Sequence, residues 1–213
     1  MVVLFATLGF TSQAVTPTLA WAKDLREVVV FHSKHKKSVE AMEELRKQCK
    51  AINVEFEPHR VDDEYSLVPL VKEIERVARE HNKENIIFNI TGGTKMLSSA
   101  ALLLCVLHGI DAVYTRETNG QILEVPLLKM IYRDLLNKKE KNILRIVADN
   151  CNNESRTCKL SEIYGILEGR MNPSVITYHL NKLESKGLIE RKESKNKKSK
   201  DVVLKEGALL LME

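Results

Sequence analysis

The sequence predicts an α/β domain with a parallel sheet and helices on both faces, followed by a small domain of helices and short strands. Short β-branched apolar runs alternate with helical stretches as far as Thr115. Such alternation implies right-handed βαβ crossovers. From Asn137 the pattern becomes helical, and a lysine-rich loop follows. Residues 1–133 are therefore predicted to be Rossmann-like, and residues 134–213 to hold a linker and a small α+β domain.

The elements of the first part can be placed in order. Five apolar runs predict parallel strands at residues 2–7, 28–32, 54–61, 86–90 and 112–115. The third is the most polar, which suits a position near a sheet edge. Helices are expected at residues 12–22, through Val39, Met42 and Leu45, at residues 67–81 and at residues 97–107. Asn119-Gly120 is a hairpin signal, so residues 121–125 should form an antiparallel edge strand.

The turn from the fourth strand into its helix reads Thr-Gly-Gly-Thr-Lys, ending at Lys95. Glycines let the backbone approach a ligand, and the N–H groups that begin a helix attract negative charge. Lys95 is the only charge in its helix before His108, and the helix dipole disfavours it unless an anion binds there too. The turn predicts a phosphate site, the alternative being a tight connection with a solvated lysine. The Walker spacing is absent, which argues against a nucleoside triphosphatase.

A second candidate loop comes from the sheet itself. Ligands of open α/β sheets bind beyond the carboxyl ends of the strands. This rule selects two loops, residues 8–11 after the first strand and residues 91–95 after the fourth. The close pair His32 and His35 is expected to lie in the core or at a helix start.

Composition favours a reduced, cytoplasmic protein. The four cysteines show no C-x-x-C spacing. Cys49 and Cys105 should be core residues, and Cys151 and Cys158 bracket a polar loop without a nearby histidine, so no metal site or cofactor is expected. Residues 1–22 lack a basic start and are interpreted as part of the fold. No apolar stretch is long enough to predict a membrane span.

The second part is predicted to contain three helices. The first carries Ile143, Ile146 and Val147 on its apolar face, and Ser161 is the expected cap of the second. Asn172-Pro173 predicts the start of the third helix, which should run to Lys186 before Gly187. Strands at residues 188–189 and 202–204 would flank the lysine-rich loop.

This arrangement predicts a winged helix-turn-helix domain that binds double-stranded DNA. Residues 138–213 carry 16 basic and 11 acidic side chains, against 17 and 18 in residues 1–137, which favours a polyanionic partner. On the third helix and the basic loop, the predicted DNA-binding residues are Ser174, Thr177, Tyr178, Asn181, Lys182, Lys195, Lys197, Lys198 and Lys200. There are two alternatives to DNA binding. The lysine loop could be a solvated loop, or the winged helix could serve only for dimerisation.

The start Leu4-Phe5-Ala6-Thr7-Leu8-Gly9-Phe10, the turn ending at Met96 and the C-terminal winged helix together resemble the CRISPR-associated Rossmann-fold (CARF) proteins, in particular the archaeal Csa3 regulators. The resemblance implies a homodimer whose shared cleft binds cyclic oligoadenylate, most often the four-adenosine ring. By position, it implies these ligand-binding residues: Gly9, Phe10, Thr11, Thr91, Gly92, Gly93, Thr94, Lys95 and Met96.

The resemblance also implies a function in antiviral defence. Ligand binding would close the dimer, change the placement of the two winged helices and so regulate transcription of a CRISPR-Cas system. Two alternatives stay open. One is a slow, metal-independent ring nuclease, although neither loop contains a histidine or carboxylate to serve as a base, so no catalytic residue is assigned. The other is a regulator that senses a different nucleotide.

Overall fold

A computed structural model describes residues 1–63, 65–81, 86–116, 118–127, 136–152, 155–193 and 200–211. The chain divides into two compact units, Met1–Tyr132 and Arg133–Glu213. Of residues 129–139, which join the two predicted domains, only residues 136–139 are among the described residues. Among the described residues, no helix is long and apolar enough to cross a membrane.

The first unit is a Rossmann-like α/β fold. Its described sheet has the order β3-β2-β1-β4-β5-β6, in which every neighbouring pair is parallel except β5 and β6. The strands are β1 (Val2–Leu8), β2 (Leu25–His32), β3 (Glu55–Arg60), β4 (Ile86–Asn89), β5 (Asp111–Thr115) and β6 (Ile122–Val125). As the sequence predicts, polar β3 lies at one edge and the antiparallel hairpin strand β6 at the other.

The described residues of this unit form the α-helices α1 (Thr16–Trp21), α2 (Lys36–Ala51), α3 (Leu67–Glu80) and α4 (Lys95–His108). Strand β1 is buried on both faces, as its continuous apolar sequence requires. Leu4 and Ala6 belong to the cluster that includes Leu45 of α2. Phe5 packs on the other face against Phe31 and Phe88. This central position places the ends of β1 and β4 at the middle of the sheet.

The predicted helix over residues 12–22 is wrong in its extent. A 3-10 turn occupies Ser12–Ala14, and α1 begins only at Thr16. Pro17 lies in the first turn of α1, where its missing N–H costs no hydrogen bond. The periodicity of the sequence did not show this division, because the apolar residues continue across it.

The second unit combines three helices with a small antiparallel sheet of order β7-β9-β8 in its described residues. Its elements are α5 (Lys138–Asn150), β7 (Thr157–Lys159), α6 (Leu160–Glu168), α7 (Pro173–Ser185), β8 (Ile189–Glu193) and β9 (Lys200–Leu204). A final 3-10 helix covers Glu206–Leu210. The core takes apolar residues from all three helices and from the sheet, including Ile143, Ile163, Leu180 and Val202.

Asn172 caps α7 through its side chain and Gly187 has φ +70°, as the sequence predicts for the two ends of that helix. Two other features differ. Ser161 lies inside α6, whose cap is Lys159, so the predicted serine cap is wrong. Strand β7 was not predicted, because three residues between two helices carry too little periodicity to stand out.

The four cysteines are free and buried. Cys151 follows α5 and Cys158 lies in β7, and their sulfur atoms are 2.9 Å apart. The fold therefore brings these two cysteines together, which the sequence spacing alone did not indicate.

Candidate functional site

The two candidate loops lie side by side because β1 and β4 are neighbours in the sheet. From β1 the chain continues to β2 on one side of the sheet, and from β4 it continues to β5 on the other side. This is the switch point at which open α/β sheets bind ligands. A cavity of about 250 Å³ opens there, lined by Leu8, Gly9, Phe10, Ser33, Gly93 and Thr94.

Glycine is required at this point for the two loops to pack against each other. A Cβ on Gly92 would lie 2.5 Å from the carbonyl oxygen of Thr7, and one on Gly9 would lie 3.0 Å from the nitrogen of Gly93. The Thr7 hydroxyl donates a hydrogen bond of 2.7 Å to the carbonyl of Gly92. Gly93 has φ +83°, a conformation that favours glycine. The glycines therefore allow the two loops to pack closely, and they also leave the backbone of the site accessible.

Both threonines of the turn hold it in place. The Thr91 hydroxyl oxygen accepts a 2.7 Å hydrogen bond from the backbone N–H of Thr115 at the end of β5. The Thr94 oxygen accepts from the N–H of Leu97 and caps α4. Both hydroxyl oxygens therefore have a structural role as acceptors.

Asn89 anchors the turn from beneath and was not among the predicted site residues. It is fully buried, and its Oδ1 accepts from the N–H of Thr91 at 2.9 Å. Its Nδ2 lies within hydrogen-bond distance of the Ala14 carbonyl, the Thr18 hydroxyl and the Thr115 hydroxyl. An amide side chain at the end of an otherwise apolar strand was the signal available in the sequence.

The start of α4 points towards an anion site. Lys95 and Met96 are its first residues, and both are exposed. Their N–H groups precede the first hydrogen bond of the helix, which runs from Ser98 to the carbonyl of Thr94. Two N–H groups, a lysine and the positive end of the dipole are therefore presented at the same place.

An aromatic pair stands beside the cavity. Phe10 is 62% exposed, and its ring centroid lies 4.6 Å from that of His35. His35 caps α2 through its Nδ1, and His32 is buried, as predicted for this pair. Burial lowers the pKa of His32. Thr11 accepts from the N–H of Gln13 and starts the 3-10 turn. The structure thus brings a histidine near the first loop, although the loop sequence contains none.

The outer face of α7 is the second surface that the sequence singled out. Ser174, Tyr178 and Asn181 are exposed, and the Lys182 ammonium lies 4.8 Å from the centre of the Tyr178 ring. Thr177 is half-buried, and its hydroxyl contacts the Tyr164 hydroxyl at 2.7 Å and donates to the carbonyl of Pro173. Thr177 therefore supports the packing of α6 on α7.

Arg191 ties the start of the basic loop to α7. It binds the Glu184 carboxylate through its guanidinium and its backbone N–H, and its Nη2 donates to Asn181 at 2.6 Å. The hydrogen bonds from Arg191 hold the pKa of Glu184 below its usual range. Lys200 is exposed at the start of β9. The predicted residues Lys195, Lys197 and Lys198 lie outside the described residues.

The family of the chain follows from its first unit. Residues 2–126 match the family described as the Csa3 CRISPR-associated Rossmann-like domain. The chain belongs to this family. The match spans all six strands of the sheet and both candidate loops. Comparison with curated protein sequences gives no match.

Several solved structures are similar to this chain at low sequence identity. The VC1899 protein from Vibrio cholerae is 10% identical, with a TM-score of 0.51 over 98% of this chain and 63% of its own. Can2 from Sulfobacillus thermosulfidooxidans in complex with cyclic tetra-adenylate is 16% identical, with a TM-score of 0.48 over 88% of this chain and 58% of its own. A type III CRISPR defence DNA nuclease activated by cyclic oligoadenylate is 14% identical, with a TM-score of 0.40 over 89% of this chain and 35% of its own.

This chain therefore spans less than two thirds of each of these three proteins. The similarity to the VC1899 protein concerns the fold alone.

Proposed function

We propose that this Csa3-family chain is a DNA-binding transcriptional regulator that senses cyclic oligoadenylate. The observation that carries the proposal is the pair of loops at the switch point of the sheet. They lie next to the N–H groups of Lys95 and Met96 and the Lys95 side chain at the start of α4. Membership of a CRISPR-associated family supports cyclic oligoadenylate as the ligand class. A phosphodiester fits the charge of the site, and an exposed ring such as Phe10 can stack on a base.

The size of the cavity supports a ligand shared by two chains. One chain provides about 250 Å³, whereas pockets for drug-sized ligands usually hold roughly 300–1,000 Å³. A ring of four adenylates is larger than such ligands. A two-fold homodimer would present two copies of each loop, so opposite phosphates of the ring would meet the same residues.

Helix α4 offers a surface for this dimer. Met96, Leu103 and Val106 are separated by seven and three residues, so they share one face of the helix. Met96 is exposed, and Leu103 and Val106 are half-buried. An apolar stripe that begins next to Lys95 would bring the two copies of the ligand turn together.

The second unit is proposed to be the winged helix-turn-helix domain. Helix α7 would enter the major groove, where Ser174, Tyr178, Asn181 and Lys182 can reach base edges and phosphates. Strands β8 and β9 pair from Ile189–Leu204 to Glu193–Lys200, so they bracket the lysine-rich loop as the two strands of a wing. The geometry of Arg191 with Glu184 and Asn181 supports this arrangement, because it fixes the base of the wing on α7.

The proposed mechanism couples the two activities. Ring binding would stabilise one arrangement of the dimer, and the spacing of the two α7 helices would then suit or misfit DNA half-sites about 34 Å apart. Regulation requires only that the ring binds the two arrangements with different affinity.

The decisive experiment is calorimetric titration of the full chain with cyclic tetra-adenylate, beside linear tetra-adenylate and a Lys95→Ala variant. We expect one ring per dimer and at least a tenfold weaker interaction in the variant, because it loses a charged phosphate contact. A Lys72→Ala variant is the matched control, since Lys72 is an exposed lysine on α3. Absence of ring binding would refute this ligand and would leave the DNA-binding proposal to its own test.

The same samples test cleavage. Recovered ligand is examined for linear products after incubation with wild type and with a His35→Gln variant, because His35 is the histidine that the structure places beside Phe10. Intact ring agrees with a sensor. Linear products that disappear in the variant would make the chain a ring nuclease with His35 at its site.

A further inference from the structure

Two glutamates and a histidine form a cluster towards the amino end of the sheet, away from the ligand loops. Glu27 lies on β2, Glu57 on the edge strand β3, and His81 directly follows α3. One possible ligand atom from each lies within 4.8 Å of the others. The side chains of Glu27 and His81 are only 12% and 9% exposed. Glu57 is more exposed, at 38%, and Glu27 also contacts the Arg26 guanidinium at 2.9 Å.

The His81 ring is oriented so that Nε2 faces the carboxylates. Its Nδ1 lies 3.0 Å from the carbonyl oxygen of Val77 and therefore carries the hydrogen that it donates. The ring of Phe5 packs against it edge-on at 5.3 Å. A histidine that donates one ring nitrogen to a backbone carbonyl and presents the other is the usual arrangement of a metal ligand.

Glu57 is supported in the same way. The His59 Nε2 lies 2.6 Å from Glu57 Oε1, which leaves Oε2 directed towards His81. Carboxylates that bind metals are themselves held by hydrogen bonds of this kind.

The distances within this cluster are those expected between ligands of one metal ion. His81 Nε2 is 3.4 Å from Glu27 Oε1 and 3.4 Å from Glu57 Oε2. The His59–Glu57 and His108–Glu75 contacts are shorter, at 2.6 Å and 2.9 Å, as in ordinary charge-assisted hydrogen bonds, and the His179–Glu140 contact is longer, at 3.9 Å. Tetrahedral metal bonds of about 2.0–2.2 Å place neighbouring ligand atoms roughly 3.4 Å apart.

We propose that Glu27, Glu57 and His81 bind a divalent transition-metal ion, with Zn²⁺ as the probe. The charge of a divalent ion is matched by the two carboxylates, and the Arg26 guanidinium contacts Glu27 through Oε2, which leaves Oε1 directed towards His81. Three protein ligands leave a further coordination position for water. The ion would join β2, β3 and the end of α3, independently of cyclic oligoadenylate.

The test is Zn²⁺ binding to the full chain after treatment with a chelator. Competition with a chromogenic chelator should give one Zn²⁺ per chain, and saturation should raise the thermal midpoint. His81→Gln should weaken binding at least tenfold, because it removes one of three ligands. Glu57→Gln is the second variant, since its side chain is 38% exposed and its loss disturbs the core least.

His108→Gln is the matched control, because it removes a histidine from another contact with a glutamate at 2.9 Å. It should bind Zn²⁺ as wild type does. Co²⁺ substitution provides the second readout, and its spectrum should lack a thiolate charge-transfer band, because the cysteines are not ligands. Equal Zn²⁺ binding in wild type and both ligand variants, no binding in wild type, or a thiolate band would each overturn the proposal.

Discussion

At the scale of single residues, Gly92 determines how closely the two candidate loops approach. Its φ is not positive, so backbone strain is not the reason for glycine, and the nearest contact of a Cβ would be the Thr7 carbonyl at 2.5 Å. Backbone atoms in neighbouring parallel strands cannot move apart without breaking the sheet. A side chain of any size should therefore separate the loops.

We expect Gly92→Ala to lower the free energy of unfolding by about 3 kcal/mol, as for other overpacked sites, and to abolish ring binding. Gly109→Ala is the control, because Gly109 has φ +65° but open space around it; its cost should be about 1 kcal/mol. Urea unfolding of both variants measures the difference. If Gly92→Ala is as stable as wild type, the glycine serves the ligand alone.

The four cysteines give a second prediction at this scale. Burial raises the pKa of Cys49 to about 11, and it also raises the pKa of Cys105, Cys151 and Cys158. The thiolate is the reactive form, so the native protein should react with a thiol reagent at pH 8 far more slowly than the unfolded chain. After unfolding without reductant, all four cysteines should titrate. A shortfall of two would show that Cys151 and Cys158, 2.9 Å apart, form a disulfide.

At the scale of elements, Thr94 both ends the ligand turn and caps α4, and these two roles can be separated. Thr94→Ala should cost about 1 kcal/mol of stability, because it removes the cap. Thr94→Asp keeps a capping oxygen and should fold as well as wild type. It also places a negative charge at the proposed phosphate site and should abolish ring binding. Thermal unfolding and calorimetry of both variants test this. Undiminished ring binding in Thr94→Asp would show that the start of α4 is not part of the ligand site.

Helix α5 supplies the pH-dependent prediction. Glu140 is buried at its first turn; burial raises its pKa, but the hydrogen bonds from Lys186 and the Asn137 N–H outweigh this, and the net pKa is lowered. Because the pKa is lower in the folded state, ionised Glu140 stabilises the protein above the unfolded pKa of about 4.3. This stabilisation is lost as the pH falls below that value. The thermal midpoint of the second unit should therefore fall between pH 6 and pH 3. Glu140→Gln should flatten this dependence, and exposed Glu168→Gln should leave it unchanged.

The elements also show what could be predicted from the sequence. Strand β4 and the turn after it were predictable, because β-branched residues, glycines and an apolar helix follow in a short stretch. The contact between the Gly9 loop and the Gly92 loop needed the strand order, which periodicity does not contain. His81 joins Glu27 and Glu57 across 54 and 24 positions of sequence, so no local pattern could indicate that cluster.

At the scale of the whole molecule, the proposal joins two units through a single thermodynamic requirement. If cyclic tetra-adenylate changes the affinity for promoter DNA by a given factor, DNA must change the affinity for the ring by the same factor. Fluorescence anisotropy of labelled DNA, with and without saturating ring, gives the first factor. Calorimetry of the ring against the protein, alone and bound to DNA, gives the second. We expect both to agree and to lie between about 5 and 150. Lys95→Ala should bring both factors to one while DNA affinity without the ring stays at the wild-type value, because Lys95 belongs to the first unit. Two factors of one in the wild type would mean that ring binding and DNA binding are independent activities of one chain.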